Sequence, residues 1–169
     1  MLFRSALKEK NQLKGGVVGT LMTNMAIEKA LKELEIDFVR THVGDRYVLE
    51  TLLEKGWSIG GENSGHILTL DAHSTGDAII ASLQVLKSLR LLNQSLHEAT
   101  KDAPLYPQIL INIEMHKKID LENNKSIQDV IKNVEEKLNN KGRVLLRPSG
   151  TEPKIRVMVE GEKIGRAHV

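Results

Sequence analysis

A chain of 169 residues has room for one ordinary domain or two small ones. Its 24 basic and 22 acidic side chains nearly cancel, and Lys is interleaved with Glu as on a solvated face, which excludes the massed positive field of a nucleic-acid partner. There is no Cys for disulfides or thiolate metal sites, no apolar run near the roughly 20 residues of a membrane span, and no secretory core in the first residues, so a cytoplasmic protein without a membrane partner is expected.

In chain order, Gly16 to Met22 is a short β-branched apolar run and predicts a buried strand. Ala26 to Leu34 carries apolar residues at helical spacing with Lys and Glu opposite. Phe38 to Val43 predicts a second strand. Asp45 is placed as the N-cap of a helix through Lys55, with Gly56 where a C-terminal glycine belongs. Trp57 to Ile59 predicts a third strand running into Gly60 to His66, and Ile67 to Leu70 continues as strand. Ile79, Ile80, Leu83, Leu86, Leu89 and Leu92 mark a long helix between Thr75 and Asn93. Strands alternating with helices imply an α/β layer with a mostly parallel sheet.

Two prolines in 101–107 then break the periodicity as a linker does. Beyond it Gln108 to Glu114 predicts a strand and Ser126 to Leu138 a helix. Arg143 to Leu146 and Lys154 to Val159 follow as an antiparallel pair of strands. A unit of about 60 residues is small for an independent core, so docking or oligomerisation is expected to support it.

Two segments carry chemistry. Between the last two strands lies Arg147-Pro148-Ser149-Gly150-Thr151-Glu152-Pro153-Lys154-Ile155-Arg156. Arg147 and Arg156 supply guanidinium forks that match an oxyanion. Ser149 and Thr151 supply hydroxyl donors, and Gly150 lets successive backbone N–H groups converge on an anion. Composition alone reads the same residues about equally well as a tight turn flanked by surface arginines.

The second segment is Gly60-Gly61-Glu62-Asn63-Ser64-Gly65-His66. Glu62 can accept from two hydroxyls, while Asn63 and Ser64 both donate and accept, which is what a polyol needs. His66 carries an imidazole, which can contact a ligand or move a proton. Taken singly, His66 reads better as a hydrogen-bonded structural histidine, and Glu62 as a surface carboxylate. Asp77 reads as a first-turn carboxylate at a helix N-terminus. His42, His73, His97 and His116 lack metal-ligand spacing.

Glu62 to His66 resembles the sugar-recognition loop of the α-D-phosphohexomutases, and Arg147 to Arg156 resembles their phosphate-binding loop. The resemblance runs from Ala6 to about Lys163 and includes Val43 to Val48, Thr75-Gly76-Asp77 and Arg156 to Gly161. It implies an α/β/α sandwich-type third domain over 6–100, a linker over 101–107, and a small α+β (TBP-like) fourth domain over 108–163 that lacks its last helix, leaving an apolar sheet face uncovered. The implied ligand is a phosphosugar. Sugar contacts fall on Glu62, Asn63, Ser64 and His66, and phosphate contacts on Arg147, Ser149, Gly150, Thr151 and Arg156. Asp45 and Arg46 resemble a family segment beside the substrate cleft, and read equally as an N-cap and a surface residue. Asn63 is similar to the glucosamine-phosphate branch; the glucose and mannose branches more often carry another residue there and remain the alternative.

In such enzymes a phosphoserine of domain one donates its phosphoryl group to the sugar, and the resulting bisphosphate turns over and returns the other phosphate. An aspartate-rich loop of domain two holds Mg2+. Neither element is present in this sequence. Gly44-Asp45-Arg46 carries one Asp where that loop carries three, so no metal ligand and no catalytic residue are expected here, and the missing N-terminal domains are the expected partner, with a homodimer of the whole enzyme also implied. A non-catalytic phosphosugar-binding module is the rival from another class. A dinucleotide fingerprint fails because Gly15, Gly16 and Gly19 precede or sit within the strand. Residues 164–169 and 2–5 match translated sequencing adapters at opposite ends, so 1–5 and 164–169 are expected to be non-native flanks of an internal fragment.

Overall fold

The computed structural model describes residues 13–101, 104–115, 119–121, 123–149 and 152–163. Gly150, Thr151 and both expected non-native flanks lie outside the described residues. The chain divides into two compact units, Met1–Leu105 and Tyr106–Val169.

In the first unit, β1 (Val17–Thr20), β2 (Phe38–Thr41), β3 (Ile59–Gly61) and β4 (Ile67–Thr69) form a sheet in the order β2-β1-β3-β4. β1 is parallel to both β2 and β3, and β4 returns antiparallel to β3. Side chains alternate across a strand, so adjacent residues of β1 enter opposite cores. Val18 joins Val48, Leu52 and Leu68 on one face, and Val17 joins Leu31 and Ile59 on the other. Helix α1 (Met25–Glu33) supplies Leu31 and α2 (Asp45–Lys55) supplies Val48 and Leu52, so the two crossover helices cover opposite faces.

The helix from Lys55 back to Asp45 forms as expected, but its start is corrected. Gly44, at φ 136°, is the N-cap, and Asp45 is the first helical residue. The Asp45 carboxylate instead accepts from the neighbouring Arg46 N–H at 2.8 Å, so it does not close the helix end. At the other end Gly56 takes the left-handed conformation and the Trp57 N–H bonds to the Leu52 carbonyl at 2.9 Å. That bond draws Trp57 into the helix cap, which is why β3 begins only at Ile59.

Helix α3 (Ala78–Leu92) is capped by Asp77, whose carboxylate accepts from Ile80 N–H at 2.9 Å. It buries Ala81 and Ser88, whereas Ile79, Leu83 and Leu86 are 73%, 59% and 60% exposed. The apolar residues that mark this helix in the sequence therefore do not all face the core. A short helix α4 (Leu96–Thr100) follows, closed by a capping box between Ser95 and Glu98.

The second unit is a three-stranded antiparallel sheet in the order β5-β7-β6, from β5 (Gln108–Glu114), β6 (Gly142–Pro148) and β7 (Lys154–Gly161). Helix α5 (Lys125–Leu138) packs against β6. The edge strand β5 leaves Ile109, Ile111 and Ile113 between 40% and 55% exposed on one face. The opposite face carries a polar row, in which Glu160 is fully buried and accepts from both Arg143 and Gln108.

Candidate functional site

Strand β3 and strand β4 form a hairpin whose loop is Glu62 to His66. It is closed by Glu62 N–H to the His66 carbonyl at 2.9 Å and Gly65 N–H to the Glu62 carbonyl at 3.1 Å. Gly65 sits at φ 89°, which a side chain would strain. The loop emerges where the parallel strands present their carboxyl ends, the usual place for a ligand in an α/β sheet.

Three other loops anchor its side chains. The Glu62 carboxylate accepts from the Gly44 N–H at 2.9 Å, just before α2. Asn63 Nδ2 donates to the Met22 carbonyl at 2.5 Å, in the loop before α1. His66 Nδ1 lies 3.6 Å from Asp45 Oδ2, and a methyl group built on Gly76 would collide with the His66 ring, so Gly76 must be glycine for the ring to lodge before α3. The beginnings of three helices thus converge on one loop, and their positive dipole ends favour an electron-rich ligand. Ser64 is exposed at the tip. Arg46 turns along its own helix to Glu50, at 2.7 Å, which pushes its guanidinium further above its ordinary pKa.

The sequence names Glu62, Asn63, Ser64 and His66, and all four lie on this loop. It assigns no contact to Met22, Gly44 or Gly76, whose contributions are a carbonyl, an N–H and a missing Cβ. Backbone groups leave no residue-type signal. Gly44 and Gly76 carried a hint only in lying within the family-like segments Val43 to Val48 and Thr75-Gly76-Asp77.

In the second unit Arg147 and Arg156 are cross-strand partners of β6 and β7, on the same face of the sheet. Burial first, and then the adjacent Arg156 charge, pulls the Arg147 guanidinium below its ordinary pKa. The Nε of each arginine is buried and finds no acceptor among the described residues. Like charges directly opposite each other destabilise a sheet, and buried N–H groups without acceptors add to that cost. Among the described residues Glu152 partly answers them, reaching Arg156 at 3.7 Å while bonding Lys154 at 3.0 Å. Lys154 chiefly, with help from Arg156, holds the Glu152 carboxyl below its usual value. Ser149 shapes the turn: its N–H donates to the Lys154 carbonyl at 2.8 Å and its Oγ accepts from Glu152 N–H at 3.3 Å. Two guanidiniums side by side with unanswered N–H donors have the chemistry that suits an oxyanion.

Comparison with known proteins gives two matches that together span most of the chain. The family model for the phosphoglucomutase/phosphomannomutase α/β/α domain III matches residues 1–106, and that for the family's C-terminal domain matches residues 110–167. The chain belongs to the phosphoglucomutase/phosphomannomutase family. It is 58% identical over 154 residues to a phosphoglucosamine mutase of Methylobacillus flagellatus, covering 91% of this chain and 34% of that one. It is 56% identical over 162 residues to the phosphoglucosamine mutase of Proteus mirabilis, covering 96% and 36%. The chain therefore spans about a third of the length of the relatives it matches. Among solved structures, N-acetylphosphoglucosamine mutase of Aspergillus fumigatus, in complex with GlcNAc-6P and magnesium, superposes with a TM-score of 0.76 at 22% identity, covering 96% of this chain and 41% of that one. That likeness establishes the α/β/α fold followed by the smaller α+β unit.

Among the described residues no three His, Cys, Asp or Glu side chains converge as a metal site. No helix among the described residues is long and apolar enough to cross a membrane.

Proposed function

We propose that this chain is the substrate-recognising third of an enzyme that interconverts glucosamine 6-phosphate and glucosamine 1-phosphate through a sugar bisphosphate. Arg147 and Arg156, with Ser149, Gly150 and Thr151, grip the phosphate that is not reacting. Glu62, Asn63, Ser64 and His66 read the ring, with Asp45 held beside His66. Residues 6–100 and 108–163 act as the two recognition domains, joined by 101–107. Chemistry is supplied by the missing N-terminal part, which carries the phosphoserine and the Mg2+ loop, and this chain alone does not turn over substrate.

The observation that carries the reading is the pair of cross-strand arginines whose buried Nε–H groups find no acceptor among the described residues, in a chain 58% identical to a phosphoglucosamine mutase. A phosphate satisfies both arginines with charge-assisted hydrogen bonds and removes their mutual repulsion. Grip on the remote phosphate then positions the reacting end of the sugar.

Calorimetric titration of the purified chain with glucosamine 6-phosphate tests this. Binding that weakens by about tenfold or more in Arg147→Ala is expected, the ordinary range for losing a hydrogen bond to a charged group. Binding of equal strength in the variant overturns the assignment of the phosphate site. Full mutase turnover by this chain alone overturns the division of labour.

A further inference from the structure

We propose that Arg40 is a positioning residue for phosphosugar recognition: it locks the loop between β1 and α1 so that the Met22 carbonyl holds Asn63 in its binding orientation. The inference rests on the reading of Glu62 to His66 as the sugar-recognition loop.

Arg40 lies in β2, and its side chain is only 17% exposed. Its Nη1 donates to the carbonyls of Thr20 at 3.0 Å and Thr23 at 2.7 Å, with Leu21 at the edge of reach at 3.5 Å. Nε and Nη2 both reach the Glu28 carboxylate, at 3.1 and 2.6 Å. The guanidinium also stacks 5.2 Å from the Phe38 ring centroid. These contacts enclose the turn that carries Met22. The turn is further tied by Thr20 N–H to Thr23 Oγ1 at 2.9 Å and Met22 N–H to Thr20 Oγ1 at 3.2 Å.

Electrostatics argues that this arrangement has a purpose beyond charge. A cation beside the first turn of α1 sits at the wrong end of the helix dipole, and Glu28 in that turn offsets it. What a guanidinium offers there is a planar fork of donors, able to span several converging carbonyls and a carboxylate at once. A rigid turn fixes the direction of the Met22 carbonyl. That carbonyl takes Asn63 Nδ2 and so leaves the Asn63 amide oxygen as the acceptor available to a ligand.

The test uses the 15N-labelled chain with Arg40→Met, Arg40→Lys, Asn63→Ala and the Arg40→Met/Asn63→Ala double variant. Two quantities are read: the NMR shift of the hydrogen-bonded Asn63 Nδ2 proton, and the affinities for glucosamine 6-phosphate and for inorganic phosphate. Arg40→Met is expected to return the Asn63 proton to its solvent position. Glucosamine 6-phosphate affinity should fall roughly tenfold while inorganic phosphate binding stays unchanged. The double variant should be no weaker than either single one, since residues acting through one contact are non-additive. Arg40→Lys, which keeps the charge and reaches fewer carbonyls, should recover part of the loss, and supplies the reading if Arg40→Met fails to fold. Additive losses, equal losses for both ligands, or an unmoved Asn63 proton overturn the proposal. If the parent chain binds inorganic phosphate but not glucosamine 6-phosphate, the sugar-loop reading fails instead, and the Asn63 proton still decides whether Arg40 sets its position.

Discussion

The two recognition segments solve opposite problems. In the Glu62 to His66 loop nearly every functional side chain is already held by protein: Glu62 by Gly44, Asn63 by Met22, His66 by Asp45 and the Gly76 backbone. In the Arg147 to Arg156 segment two like charges stand side by side with buried N–H groups that have no acceptor among the described residues. The first is preorganised and relaxed, which suits reading the arrangement of hydroxyls with little ordering cost. The second is frustrated as it stands, and on the proposed function that strain in the free state becomes affinity for phosphate. On the proposed function, one region supplies discrimination and the other supplies grip.

The sharpest way to break this contrast lies inside the second unit. Arg143 shares a sheet face with Arg147, yet it is paired with the fully buried Glu160. Glu160→Ala removes the fully buried carboxylate from the Arg143 ion pair and should destabilise that unit by about 3–5 kcal/mol, read as a large fall in its melting temperature. Arg147→Ala should do the reverse of what a core deletion does: thermal stability stays level or rises because repulsion is relieved, while phosphate affinity falls. A large loss of stability in Arg147→Ala would show that the arginine pair is structural and would erase the distinction.

In the first unit the corresponding change is Gly76→Ala. The added methyl displaces a side-chain ring rather than backbone, so stability should change by less than about 1 kcal/mol. The His66 ring must leave its position near Asp45, and glucosamine 6-phosphate should bind roughly five- to tenfold more weakly. His66 ring signals by NMR check the displacement, and unaltered affinity would show that the loop's order does not matter to binding.

The smallest effect concerns acid. The Lys14 ammonium, 2.8 Å away, holds Asp71 below its ordinary value of 3.8. Because the folded value is the lower one, the unfolded chain takes up the proton first as pH falls. The pair's contribution is present above the ordinary value and is lost as pH falls through the depressed one. Both partners are exposed, so it amounts to under about 1 kcal/mol. Asp71→Asn should remove just that part of the acid dependence of melting, with no change in binding of either ligand.

Much of the fold could be read from residue pattern because the signals were local. Helical spacing in Met25–Glu33, the Gly56 stop after α2 and alternating apolar residues in Lys154–Gly161 each act within a few residues. Errors fell at the ends of one helix and on the outward face of another. Trp57 is drawn into the cap of α2, Asp45 turns to Arg46, and three leucine or isoleucine positions of α3 face outward. A charged residue in the four-residue strand Phe38–Thr41 was the one visible sign of Arg40's role, and alternation alone reads it as a solvent-facing position.

By itself the sequence determined the family, the order of the elements, and the two segments with the donors and acceptors a phosphosugar requires, because those depend on residue types at fixed spacing. Only the tertiary structure decided which groups those residues answer to. The Gly44 N–H, the Met22 carbonyl and the Gly76 surface are brought to the loop by strands paired across the sheet. Arg147 and Arg156 are set opposite one another by the register of β6 and β7. A backbone amide, a carbonyl or a register has no letter in the sequence, and its position exists only once the sheet has formed.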